Sequence, residues 1–484
     1  MSADIRSGRP DGSDPDGPTA RLGTADPVDL VGVGYGPAAL AVATALDDAA
    51  EEAACARHGA AVGPQPTALF LERAKSSAWQ PDMLLPGTDI QHHFLRDLAG
   101  PRNPRSRFTF PNYLKEVGRL YPFTLLGGYV SRQEWSAYVE WVATSLDQPV
   151  RYRQEVLEVA PVTDDDGVVR TARVVARDTA TGATATHLAR NVLVSTGHQP
   201  YVPELFADVL GERVFHSSGY LAHLRSLPRE ANLRIAVVGA GQNAGEALLH
   251  LASAYPQARI TSLARNSGFR LYNLGHFSNE AYFPGEVDYF YALDRGQRES
   301  VFAEVHSTNY AGVDPDVSTG LYQLAYEDRH FGPGRLDFRR RVSVEACEPT
   351  PSGAYKLTTR QVHSGAVEEL EADVVVLCTG FREPRFPALL EPLRRHVRFD
   401  EYGDPLVTRA FRLETGPECT VGVYLNGITE WRHGINSATS FSTIAVRAEQ
   451  ILTDLAAHRT EDTPGRARPV RPAPEPEPVA PLPR

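Results

Sequence analysis

The stretch "VDLVGVGYGP" (residues 28–37) decides the fold of this chain. A short apolar run ends in glycines and leads directly into the helical pattern "PAALAVATALDDA", which predicts a strand, a tight turn and a helix. Gly32 permits the turn and Gly34 lets the backbone approach a pyrophosphate. Pro37 suits a first helical turn, where its missing N–H costs nothing. The pattern therefore predicts a dinucleotide-binding loop, whose contacts are Gly32, Gly34, Gly36 and Pro37.

The strand after this helix supports that interpretation. "TALFLE" (67–72) ends in Glu72, which is in place to accept hydrogen bonds from ribose hydroxyls. Glu72 lies farther from the loop than is usual, and the acidic, alanine-rich stretch 47–66 predicts a longer helix and loop that would account for the difference.

A second loop of the same kind starts about 200 residues later in "LRIAVVGAG" (233–241), and the helical "QNAGEALLHLASAYP" follows it. Here the next strand, "ARITSLAR" (258–265), ends in Arg265 rather than in a carboxylate. A cation at this position suits a 2′-phosphate, so the second dinucleotide is predicted to be NADP rather than NAD. An ordinary surface arginine is the alternative.

Composition sets limits on the class of protein. The 484 residues suffice for two or three cores. A net charge of −11 without basic blocks argues against nucleic acid or an anionic membrane as partner. No apolar run is long enough to span a bilayer, and the N-terminus lacks a signal-peptide pattern. The four cysteines form no CxxC pair, which is typical of reduced thiols in a cytoplasmic protein.

Two βαβ starts predict an α/β flavoprotein with two Rossmann-like domains. We assign 26–228 and 371–460 to a discontinuous FAD-binding domain, and 229–370 to an inserted NADPH-binding domain with a small helical substrate region. Residues 1–25 and 461–484 are too poor in large apolar side chains to order and are predicted to be disordered.

The two loops together suggest FAD plus NADPH, with hydride passing from one cofactor to the other. No Cys-x-x-x-x-Cys pair follows either loop, which argues against a disulfide reductase. A monooxygenase or a simple two-electron oxidoreductase remains.

Further motifs occur in a distinctive order and spacing: "FLERAKSSAWQPDMLLPG" (70–87), "IQHHFLRDL" (90–98), "FSNEAYFPGEVDYF" (277–290), "STNYAGVD" (307–314) and "HGINSATSFSTIAVR" (433–447). Over roughly residues 26–455 the chain resembles the flavin-dependent N-hydroxylating monooxygenases of siderophore biosynthesis, the L-ornithine N5- and L-lysine N6-monooxygenases. The resemblance implies FAD, NADPH and O2, and hydroxylation of a primary amine by a C4a-hydroperoxyflavin. It also implies a homo-oligomer. On the same basis, no protein side chain is expected to act as a nucleophile or as an essential base.

The resemblance assigns roles position by position. On the flavin side it implies cofactor contacts by Glu72, Trp79, Gln80, Gln91, Thr439, Ser440 and Phe441. On the NADPH side it implies contacts by Gly239, Gly241, Gln242, Asn243 and Arg265. The implied substrate residues are Arg96, Asn279, Asn309 and Ser442.

Departures from the family pattern cluster where substrate would lie. Arg96 stands where the family has a lysine for the substrate carboxylate, and His92 and His93 stand where small or apolar residues are usual. An arginine can grip a carboxylate with two parallel hydrogen bonds, so the exchange affects specificity. Ornithine or lysine is the expected substrate. Another amino acid such as aspartate, or the chemistry of a Baeyer–Villiger or sulfide monooxygenase, is the alternative.

The adjacent histidines could also suggest a metal site. Neighbouring side chains point in different directions and no third ligand follows at metal spacing, so no metal is expected. Trp135, Tyr138 and Trp141, at helical spacing, are predicted to be core, and Cys378 is predicted to pack in a buried strand.

Overall fold

The computed structural model describes residues 26–55, 66–437 and 440–461. Its strands are β1 (Val28–Val33), β2 (Ala68–Glu72), β3 (Val150–Tyr152), β4 (Gln154–Thr163), β5 (Val169–Asp178), β6 (Thr184–Val194), β7 (Gln199–Pro200), β8 (Val214–His216), β9 (Arg234–Val238), β10 (Arg259–Ala264), β11 (Leu336–Arg340), β12 (Val342–Pro349), β13 (Tyr355–Gln361), β14 (Val367–Ala372), β15 (Val374–Leu377), β16 (Phe381–Arg382) and β17 (Gly422–Leu425). Its α-helices are α1 (Pro37–Cys55), α2 (Phe110–Glu116), α3 (Leu120–Thr124), α4 (Arg132–Ser145), α5 (Tyr220–Leu224), α6 (Gln242–Ala254), α7 (His276–Asn279), α8 (Pro284–Ala292), α9 (Arg295–Val305), α10 (Pro315–His330), α11 (Glu430–His433) and α12 (Ile444–Glu461).

The first sheet carries the first glycine loop. Strands β3, β2, β1, β6 and β17 run parallel in that order, and the carboxyl half of β6 pairs with both β1 and β17. β1 and β17 are buried along nearly their whole length, as expected for parallel strands that are covered on both faces. The amino half of β6 instead pairs antiparallel with β5, and β5 with β4.

The second sheet carries the second glycine loop. Its five strands are parallel in the order β11-β10-β9-β15-β8. One face packs on α5, α6 and α10, and the other is covered by the antiparallel sheet β12-β13-β14. The two Rossmann-like units predicted from the sequence are therefore present.

The boundaries of the second domain differ from those predicted. Strands β8 and β15 belong to its sheet, yet both lie outside the range 229–370. β8 has only three residues, so its pattern is too short to be recognised without its neighbour β15. The chain passes between the sheets at the short antiparallel pair β7–β16, in which Gln199 lies opposite Arg382.

The first core is rich in aromatic side chains from α2 and α4, and α12 adds aliphatic ones. Trp135 and Tyr138 are buried there as predicted, while Trp141 is only partly buried at its edge. Cys378 is buried beside the second sheet, and Cys347, Cys378 and Cys419 are free thiols. The side chain of Cys55 and the segments 1–25 and 461–484, which were predicted to be disordered, lie outside the described residues, except that the backbone of Glu461 ends α12. Among the described helices, none combines the length and hydropathy required of a membrane span.

Candidate functional site

The first glycine loop fits a dinucleotide because side chains are excluded from it. Gly34 has a φ of +92°, and a Cβ there would lie 2.6 Å from the carbonyl oxygen of Ser195. A Cβ on Gly32 would collide with the ring of Phe70, whereas a Cβ on Gly36 would meet no atom within 4 Å. α1 begins at Pro37, so its first N–H groups face the same opening. The loop thus presents bare backbone, which is what a pyrophosphate requires.

Glu72 is held at the edge of this loop. Its Oε2 accepts the N–H of Tyr35 at 2.7 Å, and its Oε1 accepts the N–H of Ala74 at 2.7 Å. Each carboxylate oxygen keeps a further lone pair for a ribose hydroxyl. The position at the carboxyl end of β2 is the one expected for the ribose-binding acid of such a fold.

The second loop has the same character. Gly239 has a φ of +135°, and a Cβ there would overlap the carbonyl of Cys378. Gly241 precedes α6, whose first residue is Gln242, and the Asn243 amide donates weakly to Ser217 Oγ at 3.5 Å. Arg265 is exposed just beyond β10, and no carboxylate of the described residues pairs with it. Its guanidinium is thus available to a phosphate.

Trp79, His92 and Phe441 form an aromatic wall. The rings of Trp79 and Phe441 meet edge to face at 5.5 Å, and His92 stacks on Phe441 at 5.0 Å. Gln80 and Gln91 both have positive φ, at 48° and 59°, which is uncommon for residues other than glycine and is found at ligand sites. The structure therefore brings together four flavin contacts that the resemblance implies; the sequence carries no signal for the backbone strain.

The ring of His92 is fixed in one tautomer. Nδ1 lies 3.1 Å from the backbone carbonyl of His93, which can only accept, so Nδ1 carries the hydrogen. Burial lowers the pKa of His92 to about 4, so the ring is neutral at physiological pH. Nε2 is then a buried acceptor to which no donor of the described residues is bonded.

Two predicted substrate residues meet directly: the guanidinium of Arg96 donates to Ser442 Oγ at 2.9 Å. Tyr282 extends this group, because its hydroxyl donates to Asn309 Oδ1 at 3.0 Å and it lies close enough to Arg96 to interact electrostatically. Burial raises the pKa of Tyr282 to about 12, so the phenol stays protonated.

The other residues that the resemblance implies are not joined to this group by the hydrogen bonds given above. The amide of Asn279 donates to Gly275 O at 3.0 Å, a hydrogen bond that stays within its own helical turn. Ser440 Oγ accepts the N–H of Ser442 at 3.0 Å and shapes that turn. Thr439 lies outside the described residues.

A buried acidic group lies behind the substrate residues and was missed in the sequence. Tyr310 donates to the Glu430 carboxylate at 2.5 Å, and Glu383 accepts the backbone N–H of Glu430 at 2.9 Å and approaches His198 Nε2 at 3.2 Å. Burial raises the pKa of Glu430 to about 7, with the neighbouring charge of Glu383 adding to the shift. These residues are far apart in the chain and match no spacing pattern, so only the fold reveals them.

The adjacent histidines can be compared with the side chains that converge closely enough to share one ion. Within the described ranges, the metal-ligating side chains that converge are Asp47, Asp48 and Glu51 of α1, and neither His92 nor His93 is among them.

Comparison with known proteins settles the family. The model of the L-lysine 6-monooxygenase/L-ornithine 5-monooxygenase family matches residues 26–383. The chain belongs to this family. The L-ornithine N(5)-monooxygenase of Pseudomonas aeruginosa is 34% identical over 453 residues, covering 93% of this chain and 98% of the relative.

Solved structures of family members superpose on nearly the whole chain. The ornithine N-hydroxylase of Kutzneria, whose structure holds reduced FAD, NADP⁺ and L-ornithine, has a TM-score of 0.82 at 31% identity, covering 90% of this chain and 100% of that one. The L-lysine 6-monooxygenase of Pseudomonas syringae has a TM-score of 0.79 at 37% identity, covering 89% and 99%.

Proposed function

We propose that this protein is an FAD- and NADPH-dependent monooxygenase that uses O2 to hydroxylate the side-chain amine of L-ornithine. The observation that carries the proposal is the convergence of Arg96, Ser442, Tyr282 and Asn309 beside the aromatic wall. Membership of the ornithine and lysine monooxygenase family supports it, as do the relatives named for ornithine.

Each of the two glycine loops would bind one cofactor. Gly34, Gly36 and Glu72 would hold FAD, while Gly241 and Arg265 would hold NADPH, with Arg265 at its 2′-phosphate. When bound, FAD accepts hydride from NADPH and supplies the oxygen chemistry that no side chain provides.

The chain's own residues bind and orient the amino acid. Arg96 would take the substrate carboxylate in a bidentate grip, and Ser442 fixes the direction of its guanidinium. Asn309 and the protonated Tyr282 are uncharged hydrogen-bonding groups. The amine must be neutral to react, and an uncharged amide and phenol do not stabilise its ammonium form as a carboxylate would.

Cellular context is also a proposal. The reduced, widely spaced cysteines support a place in the cytoplasm, where the cofactors are made. Large exposed apolar side chains such as Tyr121, Leu125 and Phe331 support assembly of several copies.

A substrate panel tests the function. Purified protein is given FAD, NADPH and air with ornithine, lysine, aspartate or simple diamines, and mass spectrometry identifies hydroxylamine products. We expect an increase of 16 mass units on ornithine together with ornithine-stimulated NADPH oxidation. Product from lysine or aspartate alone would reassign the substrate, and no product from any primary amine despite bound FAD would contradict N-hydroxylation.

A further inference from the structure

A buried ion pair joins the two domains at their interface. Arg132 is the first residue of α4, Glu246 lies in α6, and their side chains are only 4% and 1% exposed. The guanidinium donates to both carboxylate oxygens, at 2.8 and 2.7 Å. A bidentate pair of this kind fixes orientation as well as distance, so it holds the two helices in one relative position.

On the side of the first domain, the same guanidinium binds backbone carbonyls in the segment that leads to the aromatic wall. Arg132 also donates to the backbone carbonyl of Met83 at 3.1 Å and, more weakly, to that of Asp89 at 3.4 Å. Both carbonyls lie in the segment between Gln80 and Gln91, the two positive-φ residues of the wall. The ion pair therefore restrains the backbone that would line the isoalloxazine ring.

On the side of the second domain, the carboxylate reaches the NADPH loop. Glu246 Oε1 accepts from the amide of Gln242 at 3.0 Å, and Gln242 Oε1 accepts the backbone N–H of Asp314 at 2.9 Å. Gln242 directly follows Gly241 at the start of α6. The orientation of the loop is thus tied to the same pair.

The hydrogen bonds close into a ring. The Gln91 amide donates to Asp314 Oδ2 at 2.6 Å, and the Gln91 backbone N–H donates to Asp89 Oδ1 at 3.2 Å. From Asp89 the path returns to Arg132. We call this closed path the interdomain ring; its members are Asp89, Gln91, Arg132, Gln242, Glu246 and Asp314.

We propose that Arg132 and Glu246 are positioning residues that set the distance between the nicotinamide and flavin rings. The inference rests on the proposed function, since it assumes that both loops are filled. The step concerned moves a hydride, one proton with two electrons, from NADPH, which becomes NADP⁺, to FAD, which is reduced. The rate of such a transfer falls steeply as the distance between donor and acceptor grows, and a misplacement of about 1 Å can lower it a hundredfold.

The test measures flavin reduction in two variants, Glu246→Gln and Arg132→Lys, of which the second keeps the positive charge. Anaerobic stopped-flow absorbance gives the limiting reduction rate and the apparent NADPH Kd. We expect the rate to fall at least tenfold in Glu246→Gln and less in Arg132→Lys. The NADPH Kd should change less than threefold, and both variants should keep stoichiometric FAD that dithionite reduces.

The matched control is a second buried ion pair that lies wholly within the first domain. Asp48 and Arg102 are 3% and 8% exposed. Asp48→Asn should lower the melting temperature but leave the reduction rate as in the wild type. A reduction rate in Glu246→Gln no lower than in Asp48→Asn would overturn the inference.

Hydrogen–deuterium exchange on the flavin-free protein separates this inference from the proposed function. Glu246→Gln should raise exchange in peptides covering residues 81–91, and Asp48→Asn should not. Unchanged exchange there would overturn the interdomain ring. A wild-type protein that exchanges as expected but whose bound FAD is not reduced by NADPH would overturn the proposed function instead.

Discussion

At the scale of single residues, we predict that Arg96 contributes most to the choice of substrate. Its guanidinium is half-buried and oriented by Ser442. Arg96→Ala should raise the substrate KM by tenfold or more because the carboxylate loses a charged partner, while NADPH-driven flavin reduction remains. Steady-state kinetics and stopped-flow reduction measure the two effects. Ser442→Ala, which removes only the orienting hydroxyl, should have a smaller effect; an unchanged KM in Arg96→Ala would contradict the assignment.

We predict that Arg265 sets the preference for NADPH over NADH. It is exposed beyond β10, where a 2′-phosphate would lie. Arg265→Ala should raise the NADPH KM several-fold and spare NADH, because only NADPH carries that phosphate. The neighbouring Asn266→Ala serves as control and should leave the preference intact. Equal effects of Arg265→Ala on both cofactors would rule out the phosphate contact.

Glu430 makes stability depend on pH. Its folded-state pKa of about 7 lies above the ordinary carboxyl value because of burial. A raised carboxyl pKa means that the folded state binds more protons than the unfolded state between these values, so stability falls as pH rises through this window. Glu430→Gln removes the ionising group, and its melting temperature relative to the wild type should therefore increase from pH 5 to pH 8. A difference that stays constant over this range would contradict the prediction.

At the scale of elements, the glycine loops were predictable because their requirements are local. A strand, a turn with positive φ and a helix start are specified by about ten consecutive residues. Gly34→Ala should weaken FAD binding at least tenfold, since a Cβ would meet Ser195 O and oppose a φ of +92°. Fluorescence titration with FAD measures this. Gly211→Ala, with open space around it, is the control, and stoichiometric FAD in purified Gly34→Ala would contradict the prediction.

Other elements could not be placed from local pattern. β8 has three residues and is recognisable as a strand only because it pairs with β15, about 160 residues later in the chain. The positive φ of Gln80 and Gln91 is likewise imposed by the surrounding structure rather than by residue type. Both features help to position the site, and both depend on distant partners.

At the scale of the whole molecule, exposed apolar side chains support a homo-oligomer. Tyr121 and Leu125 are 84% and 88% exposed around α3, and Phe331 is 82% exposed after α10. Sedimentation velocity should show an assembly larger than the monomer, and Leu125→Asp or Phe331→Asp should dissociate it if its patch is an interface. Leu157→Asp, at a more isolated exposed leucine, is the control. A wild-type monomer at micromolar concentrations would contradict the prediction.

The two dinucleotide units and their cofactors were readable from the sequence alone, because glycine loops and strand–helix patterns act over short distances. The family was readable from the order and spacing of further short motifs. Tertiary structure decided the rest. The meeting of Arg96 with Ser442, the acidic group around Glu430 and the interdomain ring each depend on hydrogen bonds between distant residues, which are 72 to 346 positions apart in the chain. Buried charges and hydrogen bonds of this kind depend on which surfaces the fold brings together, and no local pattern records that.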